Sequence, residues 1–263
     1  MTRLSTFLSQ GFLSFPAEPG LLRWAEAARP VGRTITGDPA QGHWLRCGGT
    51  WFVGVDALPN DGEGRLSGGP PLAGGALDFI RHELGLTLPL HRAQLSVCYP
   101  GYPQPSPEES EEAYGFRLRR DAAHVDGLIA EGPEKRRLLK EPHAYVLGLP
   151  LTAQSASAAP LTVWEGSHLI MREMFEAILA GHAAQEWPKI DLTSAYKEAR
   201  RKAFASCRRI ELAAAPGEAV VLHRHLLHGV APWKEGAEGP EEGRMIAYFR
   251  PQYPDLAPWL SAP

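Results

Sequence analysis

The sequence predicts a mainly β fold with flanking helices, a sandwich or barrel, on three observations. From Gly115 onward, short apolar runs recur between turn signals. Helical periodicity is confined to the first part of the chain and to one stretch after Ser167. The 263 residues, 44% hydrophobic and 22% charged, suffice for one substantial core, and no linker or internal repeat divides them. A single domain over residues 1–263 is expected, with an N-terminal helical region and a helical insertion around 167–206.

Gly11-Phe-Leu-Ser-Phe15 reads as a short strand, followed by a Pro/Gly turn and a helix carrying Leu21, Leu22, Trp24 and Ala25. Between Trp44 and Val55 two apolar runs flank Gly48-Gly49, and glycine's tolerance of positive φ favours a tight hairpin there. Pro59 to Gly75 is too rich in Gly, Pro and Asp for an element and reads as a loop. Ala76 to Leu84 has helical spacing, and Gln94 to Tyr99 reads as a strand. Gly101 to Glu112, with three prolines and an acidic run, is expected to be a solvated surface turn. The later strands are expected at Phe116 to Arg120, Ala144 to Leu149, Leu161 to Trp164, Arg209 to Leu212, Ala219 to Leu227 and Met245 to Phe249. Between them, Ile170, Met174, Phe175, Ile178 and Leu179 mark one helix, and Thr193 to Ala205 a second, charged one.

Composition narrows the functional classes. With 27 Lys+Arg against 30 Asp+Glu the net charge is -3, which disfavours a nucleic-acid partner. Cys47, Cys98 and Cys207 are too few and too scattered for a disulfide framework or a cysteine zinc site, which fits a reducing compartment. The first ten residues lack an apolar stretch of signal-peptide length and no later run could span a bilayer, so a cytoplasmic location without membrane partners is expected. Oligomeric state is not readable.

The chemistry-bearing pieces come in order: His124-Val125-Asp126, then Gly217-Glu-Ala-Val-Val-Leu-His-Arg-His-Leu-Leu-His-Gly229, then Arg244 opening the last strand. With 10 histidines and 30 carboxylates, about one His-x-Asp/Glu triplet arises by accident, and the chain contains one. The downstream context adds weight. Gly217-Glu218 reads as a turn feeding a buried strand that carries His228 to a fixed point. Strand alternation groups His228 with Leu226 and sets His223 and His225 on the other side, so only one of the three should ligate. His124 and Asp126 share a face if extended. Two imidazoles and a carboxylate hold one face of an Fe(II) ion and leave the opposite positions for a cosubstrate and oxygen.

Together these pieces resemble the phytanoyl-CoA dioxygenase family of Fe(II)/2-oxoglutarate oxygenases. The matching segments are His124-Val-Asp126, Leu161-Thr-Val-Trp-Glu-Gly-Ser-His168, Gly217-Glu218 through His228-Gly229, and the strand from Arg244; Gly11 to Phe15 is similar to the family's beginning. The resemblance implies a double-stranded β-helix, a cupin-like jelly roll, with iron ligands His124, Asp126 and His228. It also implies that Arg244 pairs the C5 carboxylate of the cosubstrate 2-oxoglutarate, for which a planar guanidinium is suited. Arg250 shares Arg244's alternation and is the rival anchor. Departures are Glu165 before Gly166, Trp233 after the final histidine, a longer stretch from Lys234 to Gly243, and Ile246 where a hydroxyl often assists the arginine.

The expected reaction is hydroxylation of a C–H bond of a small-molecule substrate by molecular oxygen, with release of succinate and carbon dioxide. Because Asp126 is present, hydroxylation is favoured over halogenation. Tyr145, on the strand after the triplet, is a second candidate for binding 2-oxoglutarate, against an ordinary packing role. His168 is expected to support its turn. Arg117, Arg119 and Arg120 are left unassigned, and the loops Pro59 to Gly75, Gly101 to Glu112 and Leu128 to Glu141 carry no readable substrate code. The rival readings are another metal-dependent enzyme on the same scaffold, an isomerase or hydrolase using Zn or Mn, and a ligand-binding protein without turnover.

Overall fold

Residues 1–107 and 109–263 are described by the computed structural model. The chain opens with α1 (Arg3–Gln10) and β1 (Phe12–Phe15), then α2 (Pro19–Gly37), which starts at a proline, as suits a first helical turn. A tight hairpin joins β2 (Leu45–Arg46) to β3 (Trp51–Gly54), and α3 (Gly75–Asp78) runs on through a wider turn to Glu83 before β4 (Gln94–Cys98).

The next element is α4 (Glu111–Arg120), where the sequence reading expects a strand from Phe116. The alternation of Phe116 and Leu118 is overridden by helix-end chemistry. The Ser110 hydroxyl accepts from the Ala113 N–H, Glu111 and Glu112 occupy the first turn, and Arg117, Arg119 and Arg120 the last. All three features match the helix dipole. After the His124-Val125-Asp126 triplet comes a hairpin, β5 (Leu128–Glu131) and β6 (Arg136–Leu139), inside the stretch read from sequence only as a loop. Then follow β7 (Tyr145–Pro150), β8 (Leu161–Trp164), α5 (Ser167–Leu179), α6 (Thr193–Ser206), β9 (Arg209–Leu212), β10 (Ala219–His223), β11 (His228–Val230), β12 (Arg244–Phe249) and α7 (Ala257–Ser261). The expected strand from Ala219 to Leu227 ends at His223, where the chain turns out of one sheet and enters another as β11.

Pairing is antiparallel throughout. One sheet has the order β1-β10-β7-β12-β4-β3-β2 and the second the order β11-β8-β9, to which His124 adds through a bridge to His228. From β7 onward the chain passes from the first sheet to the second, back at β10, out again at β11 and back at β12.

Period-two alternation separates two cores. Val146, Val220, Leu222, Ile246 and Tyr248 of the first sheet meet Leu161 and Val163 of the second. The alternate residues Leu147, Leu149, Val221, Met245, Ala247 and Phe249 face the helical layer, where Trp24 packs on Phe249 with ring centroids 5.7 Å apart. Burial of each such side chain contributes about 1.5–3 kcal/mol. No helix among the described residues is long and apolar enough to cross a membrane.

Candidate metal centre

His124 and His228 face each other across the open end of the second sheet. Each donates its backbone N–H to the other's carbonyl, at 2.8 and 3.0 Å, so the two residues are direct cross-strand partners. Close backbone packing behind both ligand segments demands glycine. A Cβ on Gly229 would lie 2.2 Å from the Asp121 carbonyl, and one on Gly127 2.1 Å from the Glu141 carbonyl. Each glycine directly follows a candidate ligand, so the -His-Gly- and -Asp-Gly- steps are steric requirements of this arrangement.

Further contacts fix the approach to the triplet. Asp121 and Ala122 both adopt left-handed backbone conformations, with φ of 53° and 52°. Arg209 holds that strained turn by donating to the Asp121 carboxylate at 2.6 Å, and Val230 donates its N–H to the Asp121 carbonyl. The buried Tyr196 hydroxyl on α6 accepts from the Val125 N–H at 2.9 Å. On the other ligand segment, the Ser167 hydroxyl accepts from the Leu227 N–H at 2.9 Å, and the His168 ring contacts the Leu8 carbonyl at 3.0 Å. His168 thus ties the start of α5 to the end of α1 rather than capping its own turn, and Ser167 steadies the residue before His228.

The ligand atoms of His124, Asp126 and His228 lie within 4.8 Å of one another. His124 Nε2 is 3.2 Å from Asp126 Oδ1, and His228 Nε2 is 3.7 Å from Asp126 Oδ2. Both Nδ1 atoms contact backbone carbonyls, that of Ala122 at 3.0 Å and that of Leu226 at 2.9 Å. A carbonyl only accepts, so each Nδ1 carries the proton and each Nε2 of a neutral ring presents a lone pair toward the carboxylate. Lone pairs converging on an anion are stable around a cation. Burial pushes the Asp126 carboxyl up, but the neighbouring positive charge, the Arg250 guanidinium foremost, outweighs it and holds it well below the usual range. Burial also depresses His228, more than Asp126 raises it. An ionised carboxylate and neutral imidazoles are the states a divalent transition metal takes.

A cavity of about 900 Å³ opens onto these three residues, walled by Trp51, Val53, Gln94 and Ser96 on one side and by α4 on the other. The acidic run ahead of α4 is part of this wall. Glu109 is largely buried and accepts from Arg117 at 2.7 Å, whereas Gln104, Pro105, Pro107, Ser110, Glu111 and Glu112 are exposed as a solvated turn requires; Glu108 lies outside the described residues.

Arg244, which opens β12, and Arg250, which directly follows it, differ in their partners. Arg250 Nη1 is 3.5 Å from Asp126 Oδ2, and its Nη2 donates to Gln94 Oε1 at 2.7 Å. This contact with the triplet went unread in the sequence, where only the shared alternation with Arg244 pointed to it. Arg244 makes no ion pair among the described residues, is 3% exposed, and its Nη1 is buried without a hydrogen-bond partner. It lines a second cavity of about 340 Å³ with Gly148, Pro150, Val220 and Ile246, and Leu161 and Tyr248 border both cavities. A guanidinium buried without a counter-ion is unfavourable by several kcal/mol unless an anion joins it. Tyr145 sits elsewhere. Alternation along β7 turns Val146 toward the metal-side cavity and Tyr145 to the helix-covered face, where it borders a separate pocket with Leu77, Ile80 and Arg81. The expectation that Tyr145 binds the cosubstrate is therefore corrected to a packing role.

No protein-family profile matches the sequence, and no curated protein matches it significantly. Solved structures do match in fold. The non-heme alpha ketoglutarate dependent carbocyclase SnoK from nogalamycin biosynthesis is 14% identical, over 97% of this chain and 88% of that one, with a TM-score of 0.51. The epimerase SnoN, in complex with Fe3+, alpha ketoglutarate and nogalamycin RO, is 12% identical over 94% and 82%, with a TM-score of 0.51. EctD from S. alaskensis with bound Fe is 13% identical over 95% and 75%, with a TM-score of 0.50. At such identities the likeness is one of fold, and this chain shares the fold of those structures.

Proposed function

We propose that residues 1–263 form one Fe(II)- and 2-oxoglutarate-dependent oxygenase domain on a double-stranded β-helix, akin to the phytanoyl-CoA dioxygenases, that hydroxylates a C–H bond of a small molecule. The passage of successive strands between two facing antiparallel sheets supports the jelly-roll reading. The carrying observation is the convergence of His124, Asp126 and His228 at one cavity, beside an adjoining cavity that shares Leu161 and Tyr248 with it and is lined by Arg244, which has no counter-ion among the described residues. SnoN and EctD, which share the fold, are iron-bound in their structures, and SnoN also holds alpha ketoglutarate. When bound, iron with 2-oxoglutarate and molecular oxygen supplies oxidative decarboxylation to succinate and carbon dioxide, coupled to substrate oxidation.

The chain's own residues have distinct tasks. His124, Asp126 and His228 hold the metal through one face. Arg250 balances the Asp126 carboxylate and keeps it ionised. Arg244 binds the C5 carboxylate of 2-oxoglutarate, because Arg250 is already engaged by Asp126 whereas Arg244 lacks an anion. The apolar wall of Trp51, Val53 and Phe116 excludes water from the substrate. The unpaired Arg244 also favours an oxygenase over a zinc hydrolase or isomerase, which requires no dicarboxylate anchor.

Anaerobic addition of Fe(II) and 2-oxoglutarate tests the reading. A visible metal-to-ligand charge-transfer band is expected in wild type and absent in His228→Ala. Arg244→Gln should raise the 2-oxoglutarate concentration needed for half the band by about 10- to 100-fold, the loss of a charge-assisted bidentate contact. A wild-type protein without the band and without succinate release refutes the assignment.

A further inference from the structure

The mouth of the larger cavity is unbalanced in charge although the whole chain carries a net charge of -3. Among its carboxylates, Glu109 is paired with Arg117, Asp126 with Arg250, and Glu141 with His143 at 3.1 Å. Glu112, on the first turn of α4, is the remaining acid. Facing it are Lys135 and Arg137 on the β5–β6 hairpin and Lys197 and Arg200 on α6, none of which makes an ion pair among the described residues.

The two arginines are held in place rather than loose in solvent. Arg200 is half-buried, with its guanidinium carbon 4.5 Å above the Phe116 ring and 5.2 Å above the Tyr196 ring, and its Nε is buried without a partner. Arg137 donates its backbone N–H to the Thr193 hydroxyl at 2.8 Å and its carbonyl accepts from Leu192, which fastens β6 to the start of α6. The Arg137 side chain donates to the Leu128 carbonyl at 3.1 Å, a neutral acceptor. Stacked or backbone-anchored guanidinium groups have already lost most of their side-chain freedom, so an incoming anion gains its hydrogen bonds at small entropic cost.

Helix α6 ties this cationic mouth to the metal ligands. Tyr196, whose hydroxyl accepts from Val125 within the triplet, lies one turn before Arg200, about 6 Å along the helix axis. Lys135 and Lys197 are exposed and Arg137 and Arg200 half-buried, whereas Asp126 and His228 are buried, so the cations stand on the solvent side of a cavity whose walls also carry Trp51, Val53 and Phe116.

We infer that the substrate carries an anionic group, a carboxylate or a phosphate, gripped by Arg137 and Arg200 with Lys135 and Lys197 in support, while an apolar portion extends inward to the metal. This rests on the oxygenase reading for the identity of the inner end but not for the cationic mouth itself. The anion is distinct from the cosubstrate, whose far carboxylate is assigned to Arg244 in the other cavity.

The test uses four probes with the same apolar part: phenylbutyrate, phenylbutyl phosphate, phenylbutanol and phenylbutylamine. Their binding to the full chain is measured by calorimetry with 2-oxoglutarate saturating, under nitrogen, with and without Fe(II). At least one acid should bind about ten-fold or more tightly than the alcohol, with the amine weakest, and the tighter acid identifies the head group. Arg137→Gln/Arg200→Gln should bring the acids to the level of the alcohol. The charge reversal Arg137→Glu/Arg200→Glu should make the amine the tightest ligand, which a merely structural role would not do. Lys197→Gln, at an exposed position where folding is not at stake, should weaken the acids by about two- to three-fold, as should raised salt in wild type. Equal binding of acid and alcohol, absence of binding by all four probes, or an acid preference surviving in the glutamine double variant overturns the inference. A wild-type acid preference without a charge-transfer band would refute the oxygenase assignment and leave the anionic subsite standing.

Discussion

His228 and its near neighbours His223 and His225 occupy opposite kinds of surroundings. His228 reaches the rim of a cavity beside His124 and the Asp126 carboxylate. His223 and His225 turn inward among rings: His223 lies 4.8 Å from His168 and 5.9 Å from Phe7, and His225 lies 4.4 Å from Trp259 and 5.0 Å from Phe175. Burial pushes the pKa of each inner histidine below its ordinary value, His223 and His225 far below, with neighbouring positive charge adding to the effect. Imidazole alone therefore does not make a metal centre. What separates the two groups is a carboxylate within reach and an opening large enough for ligands.

The comparison breaks most sharply under alanine substitution. His228→Ala should abolish the charge-transfer band while shifting the thermal midpoint of the metal-free protein only slightly, since its ring borders a cavity. His225→Ala should do the reverse. Removing a ring packed between Phe175 and Trp259 leaves an interior void, with a cost of about 3 kcal/mol in unfolding experiments, and Fe(II) affinity should be unchanged. Loss of iron binding in His225→Ala, measured on protein still folded, would erase the distinction.

These opposite roles were partly legible in the sequence. Alternation separated His228 from His223 and His225, although the chain between them is a turn and not the continuous strand on which that reasoning stood. The conclusion survived because the step from one sheet to the other also reverses what each side chain faces. The triplet, the Gly-Ser-His turn and the later strands up to β10 were readable from local pattern. By contrast, the strand expected at Phe116 failed because an aromatic–basic alternation of five residues carries less information than a serine cap with acids before it and arginines after. Tyr145 failed for a different reason: one residue of register decides which face of β7 it takes, and only the sheet's neighbours fix that register. Contacts such as Arg250 with Asp126 or Tyr196 with Val125 join residues 124 and 71 positions apart, and no single-sequence pattern encodes them.

A pH titration sharpens the same contrast at smaller amplitude. The inner histidines stay neutral in the folded protein, while in the unfolded chain they take up protons near their ordinary value of 6.5. Since the folded pKa values are depressed, stability is full above about pH 7 and falls as the pH drops through 6.5 toward the native values. The slope should approach about 1.4 kcal/mol per pH unit for each histidine kept neutral. His225→Phe, which retains a packed ring but no titration, should make the decline of the thermal midpoint below pH 6.5 shallower. An unchanged slope would mean that His225 is not among the groups protonated on unfolding.

The smallest expected effect concerns the support behind the metal ligands, and Tyr196→Phe isolates it. The substitution keeps the ring under Arg200 and removes only the hydroxyl that accepts from the Val125 N–H. That amide lies in a buried segment between His124 and Asp126, so it is left without a partner at a cost of about 1–2 kcal/mol. Part of this should appear as lower global stability. The remainder should appear as a loosened turn, weakening Fe(II) binding by a few-fold without altering the energy of the charge-transfer band, because the ligand set is the same. A Tyr196→Phe protein with undiminished iron affinity would show that the backbone pairing of His124 with His228 positions the triplet unaided, and that α6 contributes to the mouth of the cavity but not to its metal-binding end.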